Sequence, residues 1–367
     1  MEPTQSEFGG AGRIVLTLAG LVVIIAGLDA AGQFILPILF SVFLSILALP
    51  GVNALKKLGL PTPLAIMLVV ALVALVLVAI SGLVAGTVRG FTAALPRYEQ
   101  PLQELWTGAL AQLERLGIEA NAEVLAGTFK PGDVMPLVSQ TLGAVAAIST
   151  QIVIVTITMT FILFEASELA RKTEVALGGG HHAASRFAEA SGKVQRYLAI
   201  KTVVSGITGI LVAVWVSILG LDFPLLWGLL AFVLNYIPSV GSIIAAVPPM
   251  LLATVTLGWP YALAVGAGYL VVNISLGNVL EPRLLGRSLG LSPLVVFISL
   301  LFWGWIWGPA GMLFSVPMTV IAKLVLEESE DTRWIAVFLG SARDVREYEA
   351  REKARNISAE YEQQRAG

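Results

Sequence analysis

The sequence predicts an all-α polytopic membrane protein with about eight membrane segments. Of its 367 residues, 56% are hydrophobic and 13% are charged, whereas an average soluble domain is about 25% charged. The mean hydropathy is +0.83. Successive apolar runs approach the roughly 20 residues that a helix needs to cross a bilayer. Between residues 202 and 326, the charged side chains are restricted to Asp222, Glu281, Arg283, Arg287 and Lys323.

The N-terminal part, residues 1–88, is expected to form three membrane helices at about residues 14–28, 32–49 and 63–88. A short turn at Asp29 separates the first two, and Pro50-Gly51 ends the second. Residues 89–140 carry both signs of charge, and their leucines recur at helical intervals. This pattern predicts an amphipathic region outside the membrane.

Residues 141–221 are expected to hold two more membrane helices, at 142–164 and 202–221, joined by a polar cytoplasmic loop at 165–201. His181-His182 follow three glycines in this loop, which favours a mobile segment over a metal site. Residues 327–367 are predicted to form a charged helical tail. Because cytoplasmic loops carry an excess of Lys and Arg, the loop, the tail and Lys56-Lys57 place both termini in the cytoplasm.

An internal repeat lies within residues 222–326, which we interpret as the transport unit. Residues 223–257 and 292–326 align at a shift of 69 positions, so that Pro224 matches Pro293 and Ile237 matches Ile306. Repeated, interrupted apolar segments are a strong sequence pointer to the solute site of a transporter.

Each copy of the repeat is interrupted near its middle, by Pro238 in the first copy and by Pro309 and Gly311 in the second. An arm of about 15 residues forms a helix of roughly 22 Å, which is shorter than the hydrocarbon layer. We therefore expect two re-entrant helical hairpins that enter from opposite faces, an inverted arrangement. Pairs of short spanning helices remain the alternative.

The first break is rich in polar residues, and it predicts a solute-binding site at Asn235, Ser239 and Gly241. Pro238 removes a backbone donor, and the ends of a broken helix expose carbonyl and N–H groups that can hold a solute. A helix–loop–helix corner capped by Ser and Asn is the simpler alternative.

A second polar cluster follows at Asn273, Asn278, Glu281 and Arg283. Asn273, Gly277 and Glu281 are spaced i, i+4 and i+8, which predicts a polar stripe on one face of an α-helix. Asn273 and Asn278 are candidates for binding solute, Glu281 for coupling to a proton or cation, and Arg283 for pairing with Glu281. Anchoring at the membrane interface is the alternative for this end of the helix.

The sequence argues against several classes of function. It lacks cysteine, a phosphate-binding GxxxxGK[ST] loop, an HExxH motif and any Ser-His-Asp arrangement. We therefore expect no enzyme activity, no cofactor and no metal site. No basic tract points to nucleic acid; the expected partners are membrane lipid and a small polar solute.

Several motifs together resemble the autoinducer-2 exporter family of permeases. They are the stretches at residues 36–59, 236–241 with 247–248, 278–293, and 308–312 with 316–317. The resemblance implies a polytopic transporter of the bacterial cytoplasmic membrane with eight membrane segments, which forms homo-oligomers. It also implies export of a furanone-type quorum signal, Na⁺/H⁺ or Li⁺/H⁺ antiport, or another cargo.

We interpret the sequence as that of a secondary transporter, either an exporter or a cation-coupled antiporter, that works by alternating access. The lack of a nucleotide-binding motif means that an ion or solute gradient must drive it. An oligomeric channel or pore is the second hypothesis, and a membrane scaffold without transport is the third.

Overall fold

The computed structural model describes residues 10–94, 96–115, 151–176, 181–238, 240–285, 290–328 and 332–341. Within these residues the chain is helical, which confirms an all-α protein. Parts of several predictions lie outside the described residues: 95 and 116–140 of the amphipathic region, 142–150 of the fourth span, 177–180 of the polar loop, 239 and 286–289 of the transport unit, and 329–331 with 342–367 of the tail.

In the described part of the chain, the helices before the first broken run are α1 (Gly10–Ala30), α2 (Gly32–Lys57), α3 (Thr62–Ala94), α4 (Pro96–Arg115), α5 (Ile152–Ala176) and α6 (His181–Ile218). They are followed by α7 (Pro224–Leu234), α8 (Gly241–Thr256) and α9 (Trp259–Val272). A π-helical segment (Asn273–Leu280) joins α9 directly to α10 (Glu281–Leu285). The described residues beyond α10 form α11 (Pro293–Glu328) and α12 (Arg333–Leu339).

Among the described residues, five helical stretches are long and apolar enough to cross a membrane. They are Gly32–Lys57, Thr62–Ala94, Val194–Ile218, Trp259–Leu284 and Pro293–Glu327. Large apolar side chains of α3, such as Leu72 and Leu75, are 60% and 66% exposed. Contiguous exposed apolar surface of this extent fits contact with lipid. The chain is therefore a multi-pass membrane protein, and the count of eight segments stays a prediction.

The predicted polar loop at 165–201 is wrong as a description of the backbone. Helix α5 continues to Ala176, and α6 begins at His181 and runs without interruption into the membrane. The charged residues of this stretch favoured a loop in the prediction. A helix that extends beyond the membrane, however, also carries polar residues on all sides. The apolar stretch of α6 starts at Val194 rather than at the predicted residue 202.

The first broken run forms a helical hairpin of α7 and α8. The backbone leaves the helix at Asn235 and resumes it at Gly241, whose N–H donates to the Ile237 carbonyl at 3.3 Å. A Cβ on Gly241 would overlap the carbonyl oxygen of Leu234. The second arm can fold back against the first because position 241 has no side chain.

The second broken run is also a hairpin, because α11 consists of two helical arms that meet at a sharp kink. Trp307 and Gly308 leave the helical conformation, and Gly308 has φ 60° and ψ −144°, which favours glycine. Ser299 Oγ donates to the Ser315 carbonyl at 2.8 Å, although 16 residues separate the two in sequence. In a straight helix they would lie about 24 Å apart, so the arms 293–306 and 309–328 fold back on each other.

The two hairpin tips lie at different places. The first tip reaches Ser205, which is near the middle of the apolar stretch Val194–Ile218. The second tip contacts the turn between α1 and α2, where Trp307 Nε1 donates to the Leu28 carbonyl at 2.9 Å. A side chain at Gly32 would collide with that indole. The second hairpin is therefore tied to the N-terminal helices.

A separate core joins α2, α3 and α5. Ser41 and Ser45 of α2 are buried and donate to their own helix, to Pro37 and Ser41. Ser41 Oγ also lies 3.1 Å from the Val155 carbonyl of α5. Small hydroxyl residues let two helices approach closely and satisfy their polar groups inside the membrane.

Helix α4 is held to the turn between α6 and α7 by Tyr98. The Tyr98 hydroxyl donates to Asp222 Oδ2 at 3.0 Å. Burial, this hydrogen bond and the charge of Asp222 raise the pKa of Tyr98 to about 12. The hydroxyl therefore stays protonated and remains a donor at neutral pH.

Alanine at either hairpin glycine should destabilise the protein. A Cβ at Gly241 would overlap the Leu234 carbonyl oxygen, and one at Gly311 would overlap the Trp303 carbonyl oxygen. We expect Gly241→Ala and Gly311→Ala each to lower the free energy of unfolding by roughly 1–3 kcal/mol. Gly206→Ala is the control, because open space surrounds that position in α6. Thermal unfolding in detergent measures the effect, and equal stability of all three variants would contradict it.

Candidate solute and ion site

One face of α6 carries a line of buried polar side chains inside an apolar helix. Tyr197, Lys201, Ser205 and Thr208 follow one another at spacings of four, four and three residues, and each is at most 6% exposed. Residues at these spacings lie on the same helical face. Burying polar groups in this way costs free energy unless they find partners.

The first hairpin tip supplies one of these partners and also binds Thr202, the residue after Lys201. Asn235 Nδ2 donates to Ser205 Oγ at 2.9 Å, and both residues are buried. The Tyr236 hydroxyl donates to Thr202 Oγ1 at 2.8 Å, and Thr202 donates in turn to the Leu198 carbonyl. Two side chains of the tip thus attach it to α6 through neutral hydrogen bonds.

Lys201 forms an ion pair with Glu281, which is the first residue of α10. The ammonium lies 2.8 Å from Oε1 and 2.9 Å from Oε2, and the side chains are 6% and 13% exposed. Thus Lys201, not Arg283, pairs with Glu281, and the sequence-based pairing with Arg283 is wrong. Arg283 is exposed, and Arg196 of α6 reaches the Leu284 carbonyl at 3.3 Å.

The predicted stripe of Asn273, Gly277 and Glu281 lies on a backbone that is wound more widely than an α-helix. Residues Asn273–Leu280 are π-helical, and Asn273 and Gly277 still share one face. Asn273 is half-buried and Asn278 is exposed. The Asn273 side chain lies over Gly277, where a Cβ would be 2.9 Å from its Oδ1.

The remaining predicted site residues fall into two groups. Gly241 is buried and Pro238 half-buried at the first tip, beside Asn235. At the second tip, Gly311 is buried and Pro309 is exposed. Ser239 lies outside the described residues. The geometry therefore brings Asn235 and Gly241 together, and α6 links them to Glu281.

Sequence reasoning missed Lys201, Thr202, Ser205 and Tyr236. Lys201 falls at the end of the predicted polar loop, although its spacing from Ser205 and Thr208 is that of residues on one polar face of a helix. Tyr269 was also missed: its hydroxyl is buried and has no hydrogen-bond partner among the described residues. Tyr269 belongs to the same core as Leu234 and Ile237 of the first break.

The sequence matches the family described as "AI-2E family transporter" over residues 14–331, which include every element of this polar cluster. The chain belongs to the AI-2E transporter family. The resemblance inferred from the sequence motifs is thereby confirmed. Membership makes the chain a multi-pass membrane protein of a bacterial transporter family.

Three relatives each match about nine-tenths of the chain. AI-2 transport protein TqsA of Escherichia coli K12 is 36% identical over 327 residues, which are 89% of this chain and 95% of TqsA. YhhT of Escherichia coli K12, also named as a transport protein, is 34% identical over 343 residues, or 94% and 98% of the two chains. A transport protein of Haemophilus influenzae is 33% identical over 338 residues, or 90% and 97%.

Breaking the ion pair should cost more stability than removing it entirely. Lys201→Met leaves a buried carboxylate without its cation, and Glu281→Gln leaves a buried ammonium without its anion. We expect each to destabilise the protein by roughly 3–5 kcal/mol, because an uncompensated charge is then buried.

The double variant Lys201→Met/Glu281→Gln removes both charges and should recover most of this loss. Thermal unfolding of the three proteins in the same detergent gives the coupling between the two positions. Additive effects of the single substitutions would show that the pair does not act as a unit.

Proposed function

We propose that this chain is a secondary transporter that moves a small polar solute by alternating access. The observation that carries the proposal is the first hairpin tip, which contacts Ser205 near the middle of the apolar stretch of α6. Unwound backbone and polar side chains at this depth are expensive, and in membrane proteins they usually mark a transport pathway.

The proposed solute site is centred on Asn235, Gly241 and the adjoining Ser239. Asn273 and Asn278 extend it along the neighbouring helix, and Glu281, which Lys201 holds, forms its ion-coupling end, with the exposed Arg283 two residues further along. Lys201 and Ser205 are one helical turn apart on α6, so the partners that they bind, Glu281 and Asn235, are separated by only about 6 Å along that helix. A solute bound at the tip would therefore be close to the charged pair.

The moving part would consist of the two hairpins with α9, the π-helical segment and α10, against the N-terminal helices, and its movement would break the hydrogen bond between Trp307 and Leu28. The hairpins would enter from opposite faces, with both termini in the cytoplasm. The first would be re-entrant, since α7 has 11 residues and a length of about 16 Å. The second would reach the opposite face, because its arms are longer and its tip lies at the α1–α2 turn. Assembly as a homo-oligomer in the bacterial cytoplasmic membrane stays a prediction from the resemblance.

The solute could be a furanone-type quorum signal, which the name of TqsA supports, or the protein could exchange Na⁺ for H⁺. Proteoliposomes loaded with autoinducer-2 or with ²²Na⁺ distinguish these cargoes. A saturable flux that depends on an imposed Na⁺ or H⁺ gradient supports a carrier. Unsaturable conductance would indicate a channel, and no flux of either probe would favour a scaffold.

Asn235→Ala should lower the solute flux about tenfold, since it removes a buried hydrogen-bonding group worth roughly 1.5 kcal/mol. Asn53→Ala is the matched control, because Asn53 is exposed at the end of α2. Initial rates in proteoliposomes at equal protein content provide the measurement. If both variants transport like the wild type, Asn235 does not line the site.

Single cysteines can test the opposed hairpins, because the natural chain contains none. We expect Leu225→Cys, at the foot of the first hairpin, to react with a membrane-impermeant maleimide from the outside, and Leu294→Cys, at the foot of the second, to react from the inside; both positions are exposed. Leu58→Cys and Trp259→Cys, at two exposed turns, provide references for the inner and outer faces. Labelling of positions 225 and 294 from the same side in every condition would contradict the inverted arrangement.

A further inference from the structure

The ion pair between Lys201 and Glu281 connects α6 to the helix that follows the π-helical segment. Both carboxylate oxygens lie within 2.9 Å of the one ammonium. The other ionisable groups near the pair are Tyr197 on α6, Tyr236 at the hairpin tip, and Arg196 and Arg283. Arg196 is directed to the Leu284 carbonyl, and Arg283 is exposed. The buried pair therefore holds one negative and one positive charge.

A carboxylate in a low-dielectric environment requires one compensating positive charge. In this structure a tethered ammonium supplies it. A free monovalent cation that reached Glu281 would carry the same charge and would compete directly with Lys201. The coupling ion and Lys201 cannot both occupy both oxygens of this carboxylate.

We propose that Lys201 is a tethered competitor cation, which occupies Glu281 in the unloaded transporter and is displaced when a monovalent alkali ion binds that carboxylate. This proposal rests on the proposed function of Glu281 as the ion-coupling residue. Lys201 is then a positioning residue that sets the apparent affinity for the ion, and it resets Glu281 after the ion leaves.

The displaced ammonium has a route to water. Lys201 lies seven residues from Val194, or about 10 Å into the apolar stretch of α6. Side chains on an α-helix tilt toward its N-terminus. That end of α6 continues into polar residues, such as the exposed Arg196. A lysine at this depth can extend its four-carbon stem and place its charge at the interface.

Displacement also frees a contact that holds the moving part. The bonds Lys201–Glu281, Thr202–Tyr236 and Ser205–Asn235 arise from a single stretch of α6. Of these, the ion pair is the only charged one. Opening it would leave two neutral hydrogen bonds, so ion binding would loosen the attachment of α10 without destroying the tip.

The first test is the amine reactivity of Lys201 in purified full-length protein, read by peptide mass spectrometry. Adding NaCl should raise the rate of Lys201 modification at least fivefold, whereas choline chloride at equal ionic strength should not. Lys323 is the internal control, since it is buried, donates to the Gly290 carbonyl at 2.7 Å and pairs at 3.6 Å with Glu327, a carboxylate outside the proposed site. Its reactivity should stay unchanged. In Glu281→Gln the reactivity of Lys201 should not depend on Na⁺.

The second test is Na⁺ binding measured by calorimetry. Lys201→Gln removes the competitor and should tighten Na⁺ binding at least tenfold. Lys201→Arg should weaken Na⁺ binding, because arginine keeps the positive charge and can bind a carboxylate through two N–H groups. Glu281→Gln should abolish binding, and Lys323→Gln should leave it unchanged. A purely structural role would lower the stability of the Lys201 variants without this opposite pair of affinity changes.

Absence of any Na⁺-dependent change in Lys201 reactivity in the wild type would overturn the proposal, as would opening by acid alone. These measurements need no transported solute. If Na⁺ displaces Lys201 and no flux is found, the proposed function fails while the competition stands. If flux depends on Glu281 and Lys201 never moves, the transporter stands and the competition fails.

Discussion

The break between α7 and α8 depends on one constraint: polar backbone and side-chain groups that are away from water must find hydrogen-bond partners within the protein. The tip meets this constraint in two ways. Its backbone closes on itself, since the Ile237 N–H donates to the Leu234 carbonyl at 2.9 Å. Its side chains Asn235 and Tyr236 use the hydroxyls of α6. Without the polar face of α6, this break would have to move to the membrane surface.

Helix α6 is thus the element against which the rest is arranged. It packs against α7 where Gly209 and Gly228 face each other, an approach so close that a Cβ at either position would meet the backbone of the other. Further along, Trp215 Nε1 donates to the Ala264 carbonyl of α9 at 3.0 Å. One helix therefore contacts the hairpin, the helix after it and Glu281. Because one helix carries all of these contacts, a displacement at one of them also displaces the others.

The sequence predicted features that depend on local chemistry and missed those that depend on distant pairing. The breaks at Pro238 and Pro309 could be located, because proline and glycine interrupt helices wherever they lie. Glu281 was recognised as unusual because a carboxylate is rare in an apolar run. Its partner was not, since Lys201 is 80 residues away and belongs to another helix. The π-helix at Asn273–Leu280 also has no local sequence signal comparable to a proline. The polar stripe that begins at Asn273 was therefore predicted on an α-helix.

The two copies of the repeat differ in a way that bears on where a solute can bind. The first tip carries Asn235 and Tyr236, whereas Trp303 and Trp307 dominate the second. The centroids of their rings lie 4.9 Å apart, and Trp307 donates a hydrogen bond to the Leu28 carbonyl. The arms of the second hairpin are also joined by hydroxyls, since Ser299 contacts Thr319 and Trp303 donates to Thr319. The polar groups of this hairpin thus satisfy each other or the N-terminal helices. Those of the first are held by single hydrogen bonds that a polar solute could replace, which supports the solute site proposed at the first tip.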